Sequence, residues 1–195
     1  MRPWLVVPTR GDRPQTLDRL LRHAGMPAVL VWTVPGTAWR RHGVDVVYDT
    51  GPINIHRWWN SGINSAVRSG ADVVVIVNDD VIAQPGALIR LAEGLGDASL
   101  AWPEIPAELC SPHRATDMIG WCFALDPSAL RPDEGYRWLY GDDDLRLRAP
   151  STRVVPGVEV SHYKTPRADG RLGAVLRQLS RADKRRFRAQ HRVGG

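Results

Sequence analysis

Two adjacent aspartates lie one residue beyond a continuous apolar segment of the chain. Val73 to Val77 contains four valines and one isoleucine, and Asn78, Asp79 and Asp80 come next. A β-branched run without polar alternation is typical of a strand covered on both faces in a parallel sheet. Ligands of open α/β sheets bind beyond the carboxyl ends of the strands, so the two carboxylates could hold a divalent cation there. Asn-Asp-Asp is also favourable turn chemistry, and this segment alone leaves both interpretations open.

A second acidic cluster lies in the other half of the chain. Asp142, Asp143 and Asp144 follow Gly141 and open a helical pattern that continues to Arg148. Three carboxylates at a helix start suit the helix dipole, which would be a structural role. Crowded acids also raise one another's pKa, and a raised pKa would help Asp142 or Asp143 accept a proton. Asp144 and Arg148 are spaced for a pair between successive helical turns.

Alternating strands and helices must position these two clusters. In the first half the order strand, helix, strand repeats, which predicts an α/β fold with a doubly wound, mostly parallel sheet and a Rossmann-like first half. The second half is less regular and has two predicted strands and one short helix. The predicted strands are Trp4–Val7, Ala28–Trp32, Val44–Tyr48, Val73–Val77, Met118–Leu125 and Arg153–Val160; the predicted helices start at Gln15 or Thr16 and cover Asn54–Arg68, Ala87–Leu95 and Pro127–Leu130.

Length and composition limit the possible classes of protein. The 195 residues are enough for one domain with a sizeable core. No apolar run reaches the length of a membrane span, and the N-terminus lacks a signal-peptide pattern. Cys110 and Cys122 form neither a metal-binding spacing nor a disulfide framework. A cytoplasmic location is therefore expected.

The basic charge is concentrated in the C-terminal segment. The formal net charge is +5, yet Lys164 to Gly195 alone holds ten Lys or Arg and two Asp or Glu, and the remainder has a balance of −3. The body does not resemble a nucleic-acid binder. We therefore predict a domain over 1–163 and a basic tail over 164–195, with a short helix capped by Ser180 or Asp183. The tail could be solvated, contact phosphate or an anionic surface, bind nucleic acid, cover a donor site or form a dimer contact.

Several segments, in this order, resemble the inverting family 2 glycosyltransferases, which are enzymes of the GT-A fold. The resemblance covers about Trp4 to Tyr163. Val77-Asn78-Asp79-Asp80 is similar to the family's DxD-type motif, and Gly141 to Arg148 is similar to its ED-x-D-L-x-x-R segment. The other matching segments are Val7–Arg10, Asn60–Ile63, Gly120–Phe123 and His162.

The resemblance implies a metal-dependent transfer from a nucleoside-diphosphate sugar to a hydroxyl acceptor, with UDP as the first donor to consider. Asp80 and His162 would hold Mn²⁺ or Mg²⁺, which neutralises the leaving diphosphate. Asp142, or alternatively Asp143, would be the catalytic base. The implied donor-binding residues are Pro8, Thr9, Arg10, Asp12, Asn60, Asn78 and Asp79; the acceptor-side candidates are Gly120, Trp121 and Trp138.

The chain departs from the family pattern at three places. Asn78 and Gly141 stand where the family usually has acids, and no acid follows the second strand to read the base. Asp12 or Asp49 could substitute in base recognition. The short length, Asn78 and Gly141 favour a second hypothesis, a non-catalytic nucleotide- or sugar-binding protein of the same fold, whereas the retained Asp80, Asp142 and His162 oppose it. A nucleotidyltransferase is a third hypothesis. Such an enzyme would need a glycine-rich, basic loop after the first strand, and this segment has only one glycine. A fourth is a nucleic-acid-binding protein that works through its tail.

Overall fold

The computed structural model describes residues 1–36, 41–104, 118–162 and 170–191. Within these ranges the strands and helices surround one hydrophobic core. In chain order they are β1 (Pro3–Thr9), α1 (Pro14–His23), β2 (Ala28–Trp32), β3 (Val44–Tyr48), α2 (Ile55–Arg68), β4 (Val73–Val77), β5 (Val81–Ala83), α3 (Ala87–Leu95), β6 (Leu100–Pro103), β7 (Cys122–Leu125), α4 (Gly141–Arg148), β8 (Thr152–Val155), β9 (Val160–His162) and α5 (Gly170–His191).

Seven strands form one sheet in the order β3-β2-β1-β4-β7-β6-β8. The pairings among β1, β2, β3 and β4 are parallel, and β7 is antiparallel to both β4 and β6. All five residues of β4 are buried, and since successive side chains point to opposite faces, both faces of the sheet are covered there. The predicted α/β fold with a mostly parallel sheet is confirmed.

A separate antiparallel pair of strands brings a distant histidine to the end of β4. β5 pairs with β9, with Val81 opposite His162. Because Val81 directly follows Asp80, this pairing brings His162 close to the acidic turn. The single strand predicted over 153–160 is therefore wrong in its extent. Gly157, whose φ is 68°, turns the chain between β8 and β9.

Two further predictions for the second half need correction, and one strand there was not predicted. The strand predicted from Met118 begins only at Cys122. Residues 127–130, predicted as a helix, contain a turn in which the Ser128 backbone N–H and hydroxyl donate to Asp126 Oδ1 at 2.8 and 2.7 Å. Strand β6 was not predicted, because four buried residues that end in a proline carry no periodicity that distinguishes them from a loop.

The C-terminal segment forms one long helix. α5 has 22 residues, and Ser180 and Asp183, predicted as N-caps of a shorter helix, lie inside it. The Ser180 hydroxyl donates to the Leu176 carbonyl at 2.8 Å, as expected within a helix. None of the helices in the described ranges is long and apolar enough to cross a membrane. The predicted boundary between residues 163 and 164 lies outside the described residues.

α5 packs against the rest of the domain through an aromatic cluster. Phe187 is buried, and its ring centroid lies 5.2 Å from that of Tyr140 and 6.4 Å from that of Tyr136. Leu179 is buried on the same helix, whereas Val175 is exposed. The helix is therefore amphipathic and buries one side against the loop that precedes α4.

Candidate active site

Asp79 joins the end of β4 to the loop after β1. Its Oδ2 accepts a hydrogen bond from Thr9 Oγ1 at 2.7 Å, and its Oδ1 accepts one from Arg13 Nη1 at 3.0 Å. Burial raises the pKa of the Asp79 carboxyl, although the Thr9 hydroxyl and the Arg13 charge act in the opposite direction. These contacts hold the two chain segments at one edge of the sheet.

Asp80 and His162 form the second polar contact at this edge. His162 Nε2 lies 3.0 Å from Asp80 Oδ1, and the two groups form an ion pair when the imidazole is protonated. The His162 ring stacks on Trp121, with centroids 5.1 Å apart and planes inclined by 20°. The backbone N–H of Asn78 donates to the Trp121 carbonyl at 3.0 Å. The metal residues predicted from the sequence are therefore adjacent.

A divalent cation would find only part of its ligand set in these side chains. Within the described ranges, no group of three or more His, Cys, Asp or Glu side chains could hold a metal ion. Asp80 and His162 provide one carboxylate and one imidazole, which Mn²⁺ accepts and Mg²⁺ tolerates less well. Such ions commonly complete their coordination with phosphate oxygens and water, so the pair fits a metal that arrives with a phosphorylated ligand.

Asp142 lies at the start of α4 against the turn that precedes β7. A Cβ built on Gly120 would overlap with the Asp142 carboxylate, so only glycine leaves room for this side chain. Gly120 is the neighbour of Trp121, which stacks on His162. Asp142 is partly buried, whereas Asp143 is buried. Contacts through Gly120, Trp121 and His162 thus connect Asp142 to Asp80.

Asp144 is a structural residue. Its side chain is fully buried and accepts hydrogen bonds from Arg148 Nε at 2.7 Å and Gln190 Nε2 at 3.0 Å. His191 Nε2 also lies 3.0 Å from it. The predicted pair between Asp144 and Arg148 is confirmed. Asp144 also binds the end of α5 to α4, which local sequence spacing did not indicate.

The packing of His56 explains why residue 141 is glycine. A Cβ on Gly141 would overlap with the His56 ring, so a glutamate could not occupy this position without rearrangement. His56 is 1% exposed, and its Nδ1 is 2.8 Å from the Tyr136 carbonyl, to which it must donate. Burial lowers the pKa of His56 to about 4. The ring is therefore neutral, with the proton on Nδ1.

We expect acidification to destabilise the protein through His56. An unfolded imidazole titrates near 6.5 and the folded one at about 4, so between these values the unfolded state binds more protons. The free energy of unfolding should fall by up to about 3 kcal/mol as the pH drops through this interval and be unaffected by this group above it. Urea unfolding of the wild type and His56→Gln, which keeps a donor but does not titrate, measures this. Parallel pH profiles for the two proteins would contradict it.

A cleft of about 730 Å³ opens at this edge of the sheet. Two of its lining side chains have buried polar atoms without a hydrogen-bond partner among the described residues: Asn78 Oδ1 and Trp58 Nε1. Buried polar atoms are rarely left unpaired, so these atoms fit a ligand with hydrogen-bonding groups. Most predicted donor and metal residues line the cleft, together with one acceptor-side candidate: Pro8, Thr9, Arg10, Asp12, Asn78, Asp79, Asp80 and Trp138.

Two residues considered for donor binding have other partners. Asn60 Nδ2 donates to the Pro132 carbonyl at 3.0 Å and to Glu134 Oε1 at 2.9 Å, so it joins α2 to the loop before α4, and the structure does not bring it to the cleft. Asp49 binds the Arg57 guanidinium through both oxygens and is not available to read a base. Asp12 lines the cleft and remains the candidate, with Arg10 Nε 3.1 Å away.

Part of the cleft was not predicted. One wall comes from the end of β2 and the start of α2, where apolar residues suggested only core packing. Another part of the lining comes from one side of α5, more than 100 residues after α2 in sequence, which no local pattern indicated. The unpredicted lining residues are Arg13, Thr33, Ile53, Ile55, Trp58, Leu172, Gly173, Leu176, Arg177 and Ser180.

Comparison with known proteins identifies the fold. No protein-family model and no curated protein matches the chain. Among solved structures, TarS 1-349 of S. aureus superposes with a TM-score of 0.58 at 10% identity over 97% of this chain and 72% of that one. GalNAc-T7, solved with UDP, GalNAc and Mn²⁺, superposes with a TM-score of 0.63 at 12% identity over 83% of this chain and 44% of that one.

A nucleotide-processing enzyme of similar size also matches. The 2-C-methyl-D-erythritol 4-phosphate cytidylyltransferase of Thermus thermophilus has a TM-score of 0.52 at 16% identity, over 94% of this chain and 98% of that one. At such identities the likeness concerns the fold alone. The chain is an α/β protein with the GT-A-type fold of glycosyltransferases, and it spans less than half of the GalNAc-T7 chain (44%).

Proposed function

We propose that this protein is an inverting glycosyltransferase that moves a sugar from a nucleoside-diphosphate sugar to a hydroxyl acceptor. One arrangement supports the proposal. Asp80 lines the cleft and contacts His162, and Asp142 lies against Gly120, the neighbour of the Trp121 that stacks on His162. TarS has been solved with UDP-GlcNAc and GalNAc-T7 with UDP. These structures favour UDP as the first donor to test.

The donor would occupy the cleft with its nucleotide between the end of β1 and the start of α2. Ile53, Ile55 and Trp58 provide an apolar wall for a base or sugar ring. The unpaired Asn78 Oδ1 and Trp58 Nε1 would meet hydroxyl or base groups of the ligand. Asp79 would act indirectly, because its oxygens already hold Thr9 and Arg13 in place.

Asp80 and His162 are the side chains that would hold Mn²⁺ or Mg²⁺. A metal ion bound there would supply Lewis-acid stabilisation to the departing diphosphate. GalNAc-T7 was solved with Mn²⁺, which makes this ion the first to test. Trp121, stacked on His162, would keep the imidazole oriented toward Asp80.

Asp142 is the proposed catalytic base. The acceptor oxygen attacks the anomeric carbon, the bond from that carbon to the diphosphate oxygen breaks, and the diphosphate leaves with the electron pair. The hydroxyl proton passes to the Asp142 carboxylate. Asp142 suits this role better than Asp143, because Asp143 is 6% exposed and an acceptor hydroxyl would reach it less readily.

Two other functions remain as alternatives. A non-catalytic binding protein would keep the cleft but not need Asp142, and Gly141 in place of an acid favours it. A nucleotidyltransferase is favoured by the match to the cytidylyltransferase over 98% of that chain. Against it, the segment from Pro8 to Arg13 has one glycine, Gly11, and so lacks a glycine-rich phosphate loop.

A thermal-shift panel tests the proposed function. UDP, GDP, TDP and CDP and their sugars are added to the protein with and without Mn²⁺. A donor at about 100 times its Kd should raise the Tm by roughly 5–10 °C, since binding to the folded state stabilises it by mass action. We expect at least one nucleotide to do so and Mn²⁺ to increase the shift. If no nucleotide shifts the Tm in the presence of metal, the proposal is wrong.

A further inference from the structure

One side of α5 forms a wall of the cleft. The cleft-lining residues of this helix recur at one-turn intervals and therefore share one face. They are Leu172, Gly173, Leu176, Arg177 and Ser180. Trp138 lines the cleft from the loop before α4, which α5 also contacts. The helix thus contributes side chains to the cleft.

Buried carboxylates fix α5 in this position. Asp183, which is 2% exposed, accepts backbone hydrogen bonds from Arg137 at 3.1 Å, Trp138 at 2.7 Å and Leu139 at 2.9 Å. At the end of the helix, Asp144 contacts Gln190 and His191, each at 3.0 Å. A helix held this way presents its cleft-facing side chains in a defined place, as a binding wall requires.

Among the described residues, the charged side chains of the cleft leave one cation without an acidic partner. Asp12 pairs with Arg10, Asp79 with Arg13, and Asp80 with His162. Arg177 also lines the cleft and has no ion pair with any carboxylate in the described part of the chain. An unpaired guanidinium beside an apolar wall attracts an anion and binds phosphate oxygens well.

We propose that Arg177 binds the phosphate groups of the nucleotide, so that α5 is part of the donor site. This rests on the proposed function, which supplies the nucleotide. The guanidinium would neutralise charge on the diphosphate from the α5 side of the cleft. It would therefore add to the stabilisation that the Asp80 side offers. The basic tail then has a specific role in donor binding, in addition to its general positive charge.

Arg177→Gln tests the assignment, with Arg181→Gln as the matched control. Arg181 lies one turn further on the same helix, does not line the cleft, and lines a neighbouring groove together with Arg177 and Arg185. Isothermal titration compares uridine, UMP and UDP, and in parallel guanosine, GMP and GDP. Losing a charged hydrogen bond should weaken diphosphate binding by about 10- to 100-fold in Arg177→Gln. Nucleoside binding should be unchanged, and Arg181→Gln should stay within about twofold of wild type for every ligand.

The possible results distinguish a failure of the Arg177 assignment from a failure of the proposed glycosyltransferase function. If UDP or GDP binds the wild type and both variants equally, or if both variants lose affinity equally, Arg177 has no specific role and only this inference is wrong. If neither diphosphate binds the wild type, the proposed function is wrong. Inorganic pyrophosphate is titrated as a further arm, and an Arg177-dependent affinity equal to that for UDP would assign the site to free pyrophosphate instead of a nucleotide. Arg177 is exposed, so both variants should fold normally.

Discussion

Replacing Asp142 by Asn is expected to lower the rate of sugar transfer by about 10²- to 10⁴-fold, because the amide cannot accept the acceptor proton. Donor affinity should remain within about twofold of wild type, since Asp142 does not line the nucleotide cleft. The rate of transfer is measured from the nucleoside diphosphate that is released, and donor affinity is measured by isothermal titration. Lost turnover with retained binding distinguishes an enzyme from a binding protein of the same fold.

Two further variants test whether Asp142 is the residue that acts as the base. Asp143→Asn should lose far less activity than Asp142→Asn, and the reverse order would move the assignment to Asp143. Gly120→Ala should also lower turnover, because its methyl group would displace the Asp142 carboxylate while leaving Asp80 and His162 in place. A wild-type rate in both Asp142→Asn and Gly120→Ala would refute the proposed base.

The sequence was sufficient for the four parallel strands β1 to β4 and for the acidic end of β4. The valine-rich run predicts a buried central strand because burial on both faces leaves a continuous apolar pattern, and all five residues are buried. The position of His162 beside Asp80 followed only from the resemblance. In the structure it depends on the pairing of two three-residue strands, which are too short to show periodicity.

The remaining parts of the site depend on contacts between distant residues. His56 and Gly141 are 85 positions apart, and their contact, which excludes a side chain at residue 141, leaves no trace in either local sequence. Asp183 sits in a basic helix, where the sequence predicted it as a cap, yet it accepts hydrogen bonds from three backbone N–H groups of another segment. Local patterns report burial and helix formation, but they do not report which elements meet.

The three backbone hydrogen bonds that Asp183 accepts make it a residue of α5 whose replacement should lower the stability strongly. Asp183→Ala removes a buried carboxylate and leaves the backbone N–H groups of residues 137–139 without their acceptor. We expect the free energy of unfolding to fall by about 3–5 kcal/mol, since hydrogen bonds to a charged group are worth about 1.5–3 kcal/mol each and are not fully additive. Urea unfolding measures the change. Asp97→Ala is the control, because Asp97 is exposed and pairs only with Arg153 among the described residues; it should cost less than about 1 kcal/mol.

Asp183→Asn then separates the structural role from the functional one. The amide oxygen can still accept one or two of the three hydrogen bonds, so this variant should fold and lose less stability than Asp183→Ala. The loop carrying Trp138, and with it the wall formed by α5, should nevertheless be held less firmly, and donor affinity should fall by about 3- to 10-fold while Asp97→Ala leaves it unchanged. If Asp183→Ala is no less stable than Asp97→Ala, α5 is not anchored by this carboxylate. If Asp183→Asn binds the donor as wild type does, the anchored helix stabilises the fold without shaping the cleft.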